Sequence, residues 1–295
     1  MTGRWWVVGA LVVLATGCGQ ASSGPAQSTS DAPARATYDG PVVRPTAVPG
    51  AEGPVTTSSS ALVTDDGSGP WLCWSAAIDF GGDPHVCDDA RVTGWDWDAV
   101  GASTTESGVR QGWFTLTGTF DGSTFDVEEA TQPEPPPDDW DFEIPCPTPE
   151  GGWQVLDTDA VDQDSLTRAT SLAQELDDHA LVAVSTPEGD GGPRDPAATV
   201  VSVYVTGDPA VAESAVREVW GGMLCVTQVE RTEKEMEEIQ QSLLDLPGWS
   251  EIGAGTTSNK VEMTVFHDDG RYQQWVDREY GEGVVVVESI LKPVG

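Results

Sequence analysis

Positive charge is what this chain of 295 residues has least of: 14 Lys and Arg stand against 49 Asp and Glu, giving a formal net charge of −35. That field repels nucleic-acid phosphates and anionic headgroups, so functions built on a basic patch are excluded. Histidine is scarce as well. His85, His179 and His267 lie far apart, and no CxxC or HxxxH spacing accompanies them, which argues against a zinc centre. Apolar residues make up 38%, below the roughly 45–50% of an average globular chain. The longest apolar run, Trp5 to Ala15, would span about 16 Å as a helix, about half a bilayer core, so a permanent transmembrane helix is not expected. With 33 Gly and 21 Pro, much of the chain is not core, yet 12 Trp and several Val-rich runs suffice for compact domains.

What is present begins with an address. Arg4, the apolar run and the small residues before Cys18 have the three-part layout of an export signal. The segment Leu14-Ala15-Thr16-Gly17-Cys18 resembles the lipobox of bacterial lipoproteins, with Ala15 where Leu is usual. The resemblance implies removal of a signal peptide, residues 1–17, and a diacylglycerol on Cys18 that holds the protein on the extracytoplasmic face of the cell membrane. Two acyl chains anchor stably where one does not. Residues 18–54, rich in Ala, Ser, Thr, Pro and Gly, read as a disordered tether that cannot offset chain entropy by burial. The Ala/Gly/Asp/Val-weighted composition and the tethered two-module layout resemble actinobacterial lipoproteins of unknown function, a likeness that carries no activity with it.

Four further cysteines in an exported chain favour disulfides. Three pairings are open. Cys73 and Cys87 flank a loop containing Gly81-Gly82-Asp83-Pro84 within one small domain, so Cys73–Cys87 with Cys146–Cys225 is the economical choice. The second bond would fasten a Pro-rich connector to a strand of the C-terminal domain.

The fold class expected is α+β. Residues 55–132 read as a small antiparallel β barrel or sandwich, with strands over 60–64, 71–75, 92–97, 113–120 and 123–127 and a hairpin signal at Asp121-Gly122. Length and strand count suit an OB-like five-stranded barrel. Residues 133–152 form a Pro-rich acidic connector. Residues 153–295 read as an α+β domain of two αββαβ repeats, about 164–231 and 232–292. Leu166, Ala169, Ala173 and Leu176 occupy one helical face, and Met236, Ile239, Leu243 and Leu246 repeat it. Val201, Val203 and Val205 alternate along a strand, as do Val261, Met263 and Val265. Asp208-Pro209 reads as an N-cap pair, and Thr232 with Glu235 as a capping box. The order resembles small αββαβ modules of bacterial envelope proteins, including BON-like domains and secreted protease propeptides, which implies topology only.

A search for chemistry returns mostly negatives. The chain has no GxSxG, Walker loop or HExxH; Gly253-Ala254-Gly255 lacks a third glycine, and Gly281-Glu282-Gly283 reads as a helix exit. His267 is the most suggestive histidine because Asp268 and Asp269 follow it, but it reads better as a strand end entering a turn. His85 reads as a solvated loop residue and His179 as a helix end. Asp157, Asp159, Asp162 and Asp164 suggest calcium, yet an EF-hand loop starting at Asp157 would place Asp162 where Gly is needed and Arg168 where Glu is needed. Trp95-Asp96-Trp97-Asp98 would suit a sugar platform, but alternation on a strand puts both rings in a core. No catalytic residue, metal or cofactor is expected. The reading is a non-enzymatic, lipid-anchored envelope protein that binds another envelope protein, with a solute- or carbohydrate-binding lipoprotein as the alternative.

Overall fold

The computed structural model describes residues 38–74, 87, 89–101, 103–133, 146–186, 195–255 and 258–294. The export signal, Cys18, the tether as far as residue 37, His85, most of the connector and the loop within 187–194 lie outside the described residues.

Seven strands come first: β1 (Val55–Thr57), β2 (Ala61–Asp65), β3 (Trp71–Cys73), β4 (Ala90–Thr93), β5 (Thr104–Glu106), β6 (Val109–Phe120) and β7 (Thr124–Thr131). Because β6 pairs with both β2 and β7, the circuit β2–β3–β4–β7–β6 closes into a small five-stranded barrel. It is not wholly antiparallel, as the sequence suggested: β4 and β7 run parallel. A crossover through β5 and β6 separates them, and parallel neighbours require such a connection. The Asp121-Gly122 hairpin forms as its composition predicts, with Gly122 at φ 103° and the Asp121 carboxylate accepting the Ser123 and Thr124 amides at 2.9 and 2.7 Å. The strand expected over 92–97 ends early. Gly94, at φ 71°, turns the chain where a side chain would press on the Val127 carbonyl, so Trp95 and Trp97 reach the core from a loop. Val63, Leu72, Phe114, Leu116 and Phe125 fill the barrel without solvent contact.

The C-terminal half contains α1 (Gln163–Gln174), β8 (His179–Ser185), β9 (Val200–Val205), α2 (Pro209–Arg217), β10 (Met223–Gln228), α3 (Glu233–Leu243), β11 (Trp249–Ala254), β12 (Val261–Val265), α4 (Arg271–Tyr280) and β13 (Val285–Ser289). Two three-stranded sheets result. In one, β9 lies antiparallel to β8 and parallel to β10; in the other, β12 lies antiparallel to β11 and parallel to β13. The apolar periods explain the packing: Leu166, Ala169 and Ala173 meet Val201, Val203 and Val205 in one core, while Met236 and Leu243 meet Val261, Met263 and Val265 in the other. His179 is not a helix end. The helix stops at Gln174 and His179 opens β8, where its Nε2 meets Glu233 at 2.7 Å.

The caps are those the residue types dictate. Asp208 accepts from the Ala210 amide, and Thr232 and Glu235 form a reciprocal capping box. Thr232→Ala is expected to cost about 1 kcal/mol, measurable by denaturant unfolding. The Thr232 hydrogen bonds hold the Glu235 carboxyl below its ordinary range, so the box stabilises fully at neutral pH and loses this contribution as pH falls through that lowered value.

Two long-range features tie the halves together. The final strand, β14 (Leu291–Pro293), pairs with β1, so the chain's end extends the barrel sheet. Phe266, just after β12, enters the barrel core, its ring 4.7 Å from Trp74 and 5.0 Å from Phe120. Cys73 is bonded to Cys87 and Cys146 to Cys225, the pairs the spacing favoured, and the second spans 79 residues.

Residues 38–54, the distal part of the segment read as tether, lie against the fold as a strap. Val48 packs on the barrel core and Val42 on the core of the β11–β12–β13 sheet. Gln274 donates to the Tyr38 carbonyl at 2.6 Å, Arg278 to the Val42 carbonyl, and Arg44 to Asp245 while stacking over Trp275. Its far end is held by the His267 Nδ1–H on the Pro49 carbonyl at 3.0 Å and by the Ala51 amide on the Phe120 carbonyl at 2.8 Å.

Candidate functional site

The two α+β sheets differ in what covers the face away from their helices. On β9 that face carries Val200, Ser202 and Tyr204, all buried. On the β11–β12–β13 sheet, register places Thr264 between Glu251 and Glu288 in one row, and Glu262 between Gly253 and Val286 in the next. The three glutamates are exposed, Thr264 and Val286 are half-exposed, and the space above Gly253 is open. The result is an acidic, solvent-facing sheet surface that ends where Phe266 enters the barrel.

The edge of this sheet is closed by a side chain. The Gln273 amide on α4 donates to the Val285 carbonyl and accepts from the Val287 amide, both at 2.9 Å, so it stands where the backbone of a further strand would pair. The Asp277 carboxylate accepts its second N–H at 2.8 Å. Replacing Gln273 with leucine strands two backbone groups; a loss of about 1–3 kcal/mol is expected, with concentration-dependent self-association visible by sedimentation.

A cleft of about 430 Å³ lies within the C-terminal half, where residues of the first sheet, Tyr204 and Thr227, meet Lys260 and Glu282 of the second α+β unit. Its wall is fixed by Asn259, the chain's single asparagine. At φ 50°, a conformation asparagine tolerates, Asn259 accepts the Glu230 and Arg231 amides at 3.0 and 2.8 Å and donates to the Arg231 carbonyl at 2.9 Å. Nothing in its sequence context marked it. A second, shallower groove of about 410 Å³ lies along α3, between Glu238, Ile239 and Tyr280.

The residues weighed from sequence have structural duties. His267 is buried and clasps the strap. Asp268 caps α4, accepting amides of Gly270, Tyr272 and Gln273 at 2.9, 3.0 and 3.4 Å. Burial nevertheless pushes its carboxyl above the ordinary aspartate range. The folded state therefore binds that proton more tightly than the unfolded chain, so its contribution to stability rises as pH falls through the carboxylate range. Unfolding at graded pH should show the parent gaining on Asp268→Asn under acid. Asp157 and Asp162 serve as caps for the Asp159 and Ser165 amides, and among the described residues no three acids, cysteines or histidines converge as a metal-holding group. Trp95 and Trp97 pack edge-on against Phe114, with Trp97 Nε1 donating to Asp65 at 3.0 Å, so neither ring forms an open sugar platform. Gly281 ends α4 at φ 104°. Among the described residues no helix is long and apolar enough to cross a membrane, and the two disulfides suit an oxidising, extracytoplasmic compartment. No protein-family model, curated protein or solved structure matches this chain.

Proposed function

We propose that this chain is a lipid-anchored, non-enzymatic protein of the extracytoplasmic envelope, held by diacylglycerol on Cys18, whose C-terminal half is a protein-interaction module of two αββαβ copies beside an OB-like barrel. The observation that carries the reading is the difference between the two sheets. The first copy buries both faces of its central strand, whereas the second leaves one face to solvent, lined by Glu251, Glu262 and Glu288. A copy with both faces covered serves the scaffold; a copy with one free face is available to a partner. The acidic surface favours an envelope protein presenting basic side chains, because complementary charge speeds encounter and rejects like-charged partners.

Crosslinking the anchored protein in native membranes tests this, with Cys18→Ala as the unanchored control and Glu251→Lys/Glu288→Lys as the charge-reversed form. Capture of one protein that needs both the anchor and the glutamates supports the reading. Capture indifferent to charge reversal moves the interface off this face, and turnover of a substrate by the purified protein overturns the non-enzymatic assignment.

A further inference from the structure

We propose that the cleft between the two α+β units of the C-terminal half binds a small zwitterion of the amino-acid or dipeptide class. In a molecule of net charge −35, a small anion is repelled at long range, and a small cation is drawn to acidic surface everywhere without preference. A ligand with both charges and no net charge is indifferent to the overall field and responds to local charges. This cleft supplies both signs: Arg231 and Lys260, two of the chain's scarce cations, line the same space as Glu230 and Glu282.

The groups have capacity to spare. Arg231 gives one nitrogen, Nη1, to Glu230 at 3.1 Å, and a guanidinium carries five N–H donors. Lys260 is exposed and, among the described residues, forms no ion pair. Arg231 and Lys260 are the partners for a ligand carboxylate and Glu282 the partner for its ammonium, all three lining the same cleft. The volume, about 430 Å³, lies at the small-ligand end of ordinary binding pockets. The wall is already set, because Asn259 pins the backbone of Glu230 and Arg231 with three hydrogen bonds, so little ordering cost opposes binding. The cleft borders the open sheet face, its Ser258 donating to Glu262 at 3.1 Å, but Lys260 and Glu282 are not among the glutamates of that face, so charge reversal at Glu251 and Glu288 and substitution at Lys260 and Glu282 test the two readings apart.

The test is calorimetric titration of the full chain with alanyl-alanine, beside N-acetylalanine as the anion alone and alanine amide as the cation alone. The expected result is saturable binding of the dipeptide with both controls at least about tenfold weaker. Lys260→Met and Glu282→Gln, both exposed positions, should each weaken binding by about tenfold with melting temperatures unchanged. Absence of dipeptide binding up to about 10 mM, equal binding of either control, or affinity untouched by both substitutions overturns the proposal.

Discussion

Phe266→Ala is expected to cost about 3–5 kcal/mol and to split one unfolding transition into two. The ring has no solvent exposure and lies within 5.0 Å of Phe120 and 4.7 Å of Trp74, so its removal leaves a void inside the barrel core. Its backbone is equally committed: the Phe266 amide donates to the Gly248 carbonyl at 2.8 Å, and its carbonyl accepts the Leu291 amide at 2.9 Å. The side chain thus couples the barrel to the β11–β12–β13 sheet at the point where β14 departs to join β1. Denaturant unfolding followed by both tryptophan fluorescence and far-ultraviolet dichroism should give coincident curves for the parent and separated curves for the variant. Phe266→Leu, which keeps most of the volume, should retain coincidence. Separated curves in the parent would show that the coupling is not there to lose.

Removing the Cys146–Cys225 bond by Cys146→Ser/Cys225→Ser is expected to cost about 4–5 kcal/mol, against about 3 kcal/mol for Cys73→Ser/Cys87→Ser. The ranking follows from loop length: the bonds close spans of 79 and 14 residues, and the longer loop surrenders more entropy in the unfolded chain. Melting temperatures of the two double variants, measured without reductant, decide it. A larger loss for the short loop would mean that local packing under Leu62 and Trp71, which touch Cys73 and Cys87, outweighs chain entropy.

Local features of this fold were legible in the sequence because their causes are local. The helical faces of Leu166 and Met236, the strand alternation at Val201 and Val261, the Asp208 and Thr232 caps and the Asp121-Gly122 hairpin each depend on residues within one or two turns. Barrel closure depends on a parallel β4–β7 pair whose members are separated by two strands, and no periodicity reports that. β14 has three residues, Leu291-Lys292-Pro293, too few to display alternation. Phe266 looked like one more apolar residue at a strand end, since its destination is another core. The strap escaped because composition averages over a window: Val42, Arg44 and Val48 are dispersed among Pro, Thr and Gly, yet each makes its own contact. The cleft escaped for the same reason as the open face. Arg231, the adjacent pair Asn259-Lys260, and Glu282 come from three separate turns that meet only in the folded chain.

The strap alters the mechanics of attachment. On the anchoring proposed at Cys18, about 19 residues separate the lipid from Tyr38, and a chain of that length spans at most roughly 65 Å at about 3.4 Å per residue, about half the span available if the fold began at residue 54. Tension from such an anchor would enter first through Gln274, Arg278 and Arg271 of α4, which hold Tyr38 and Val42. Such a force would peel the strap from α4 and then break its holds at His267 and Phe120 before it loaded β1, so residues 38–54 would act as a reserve of slack that doubles the available span.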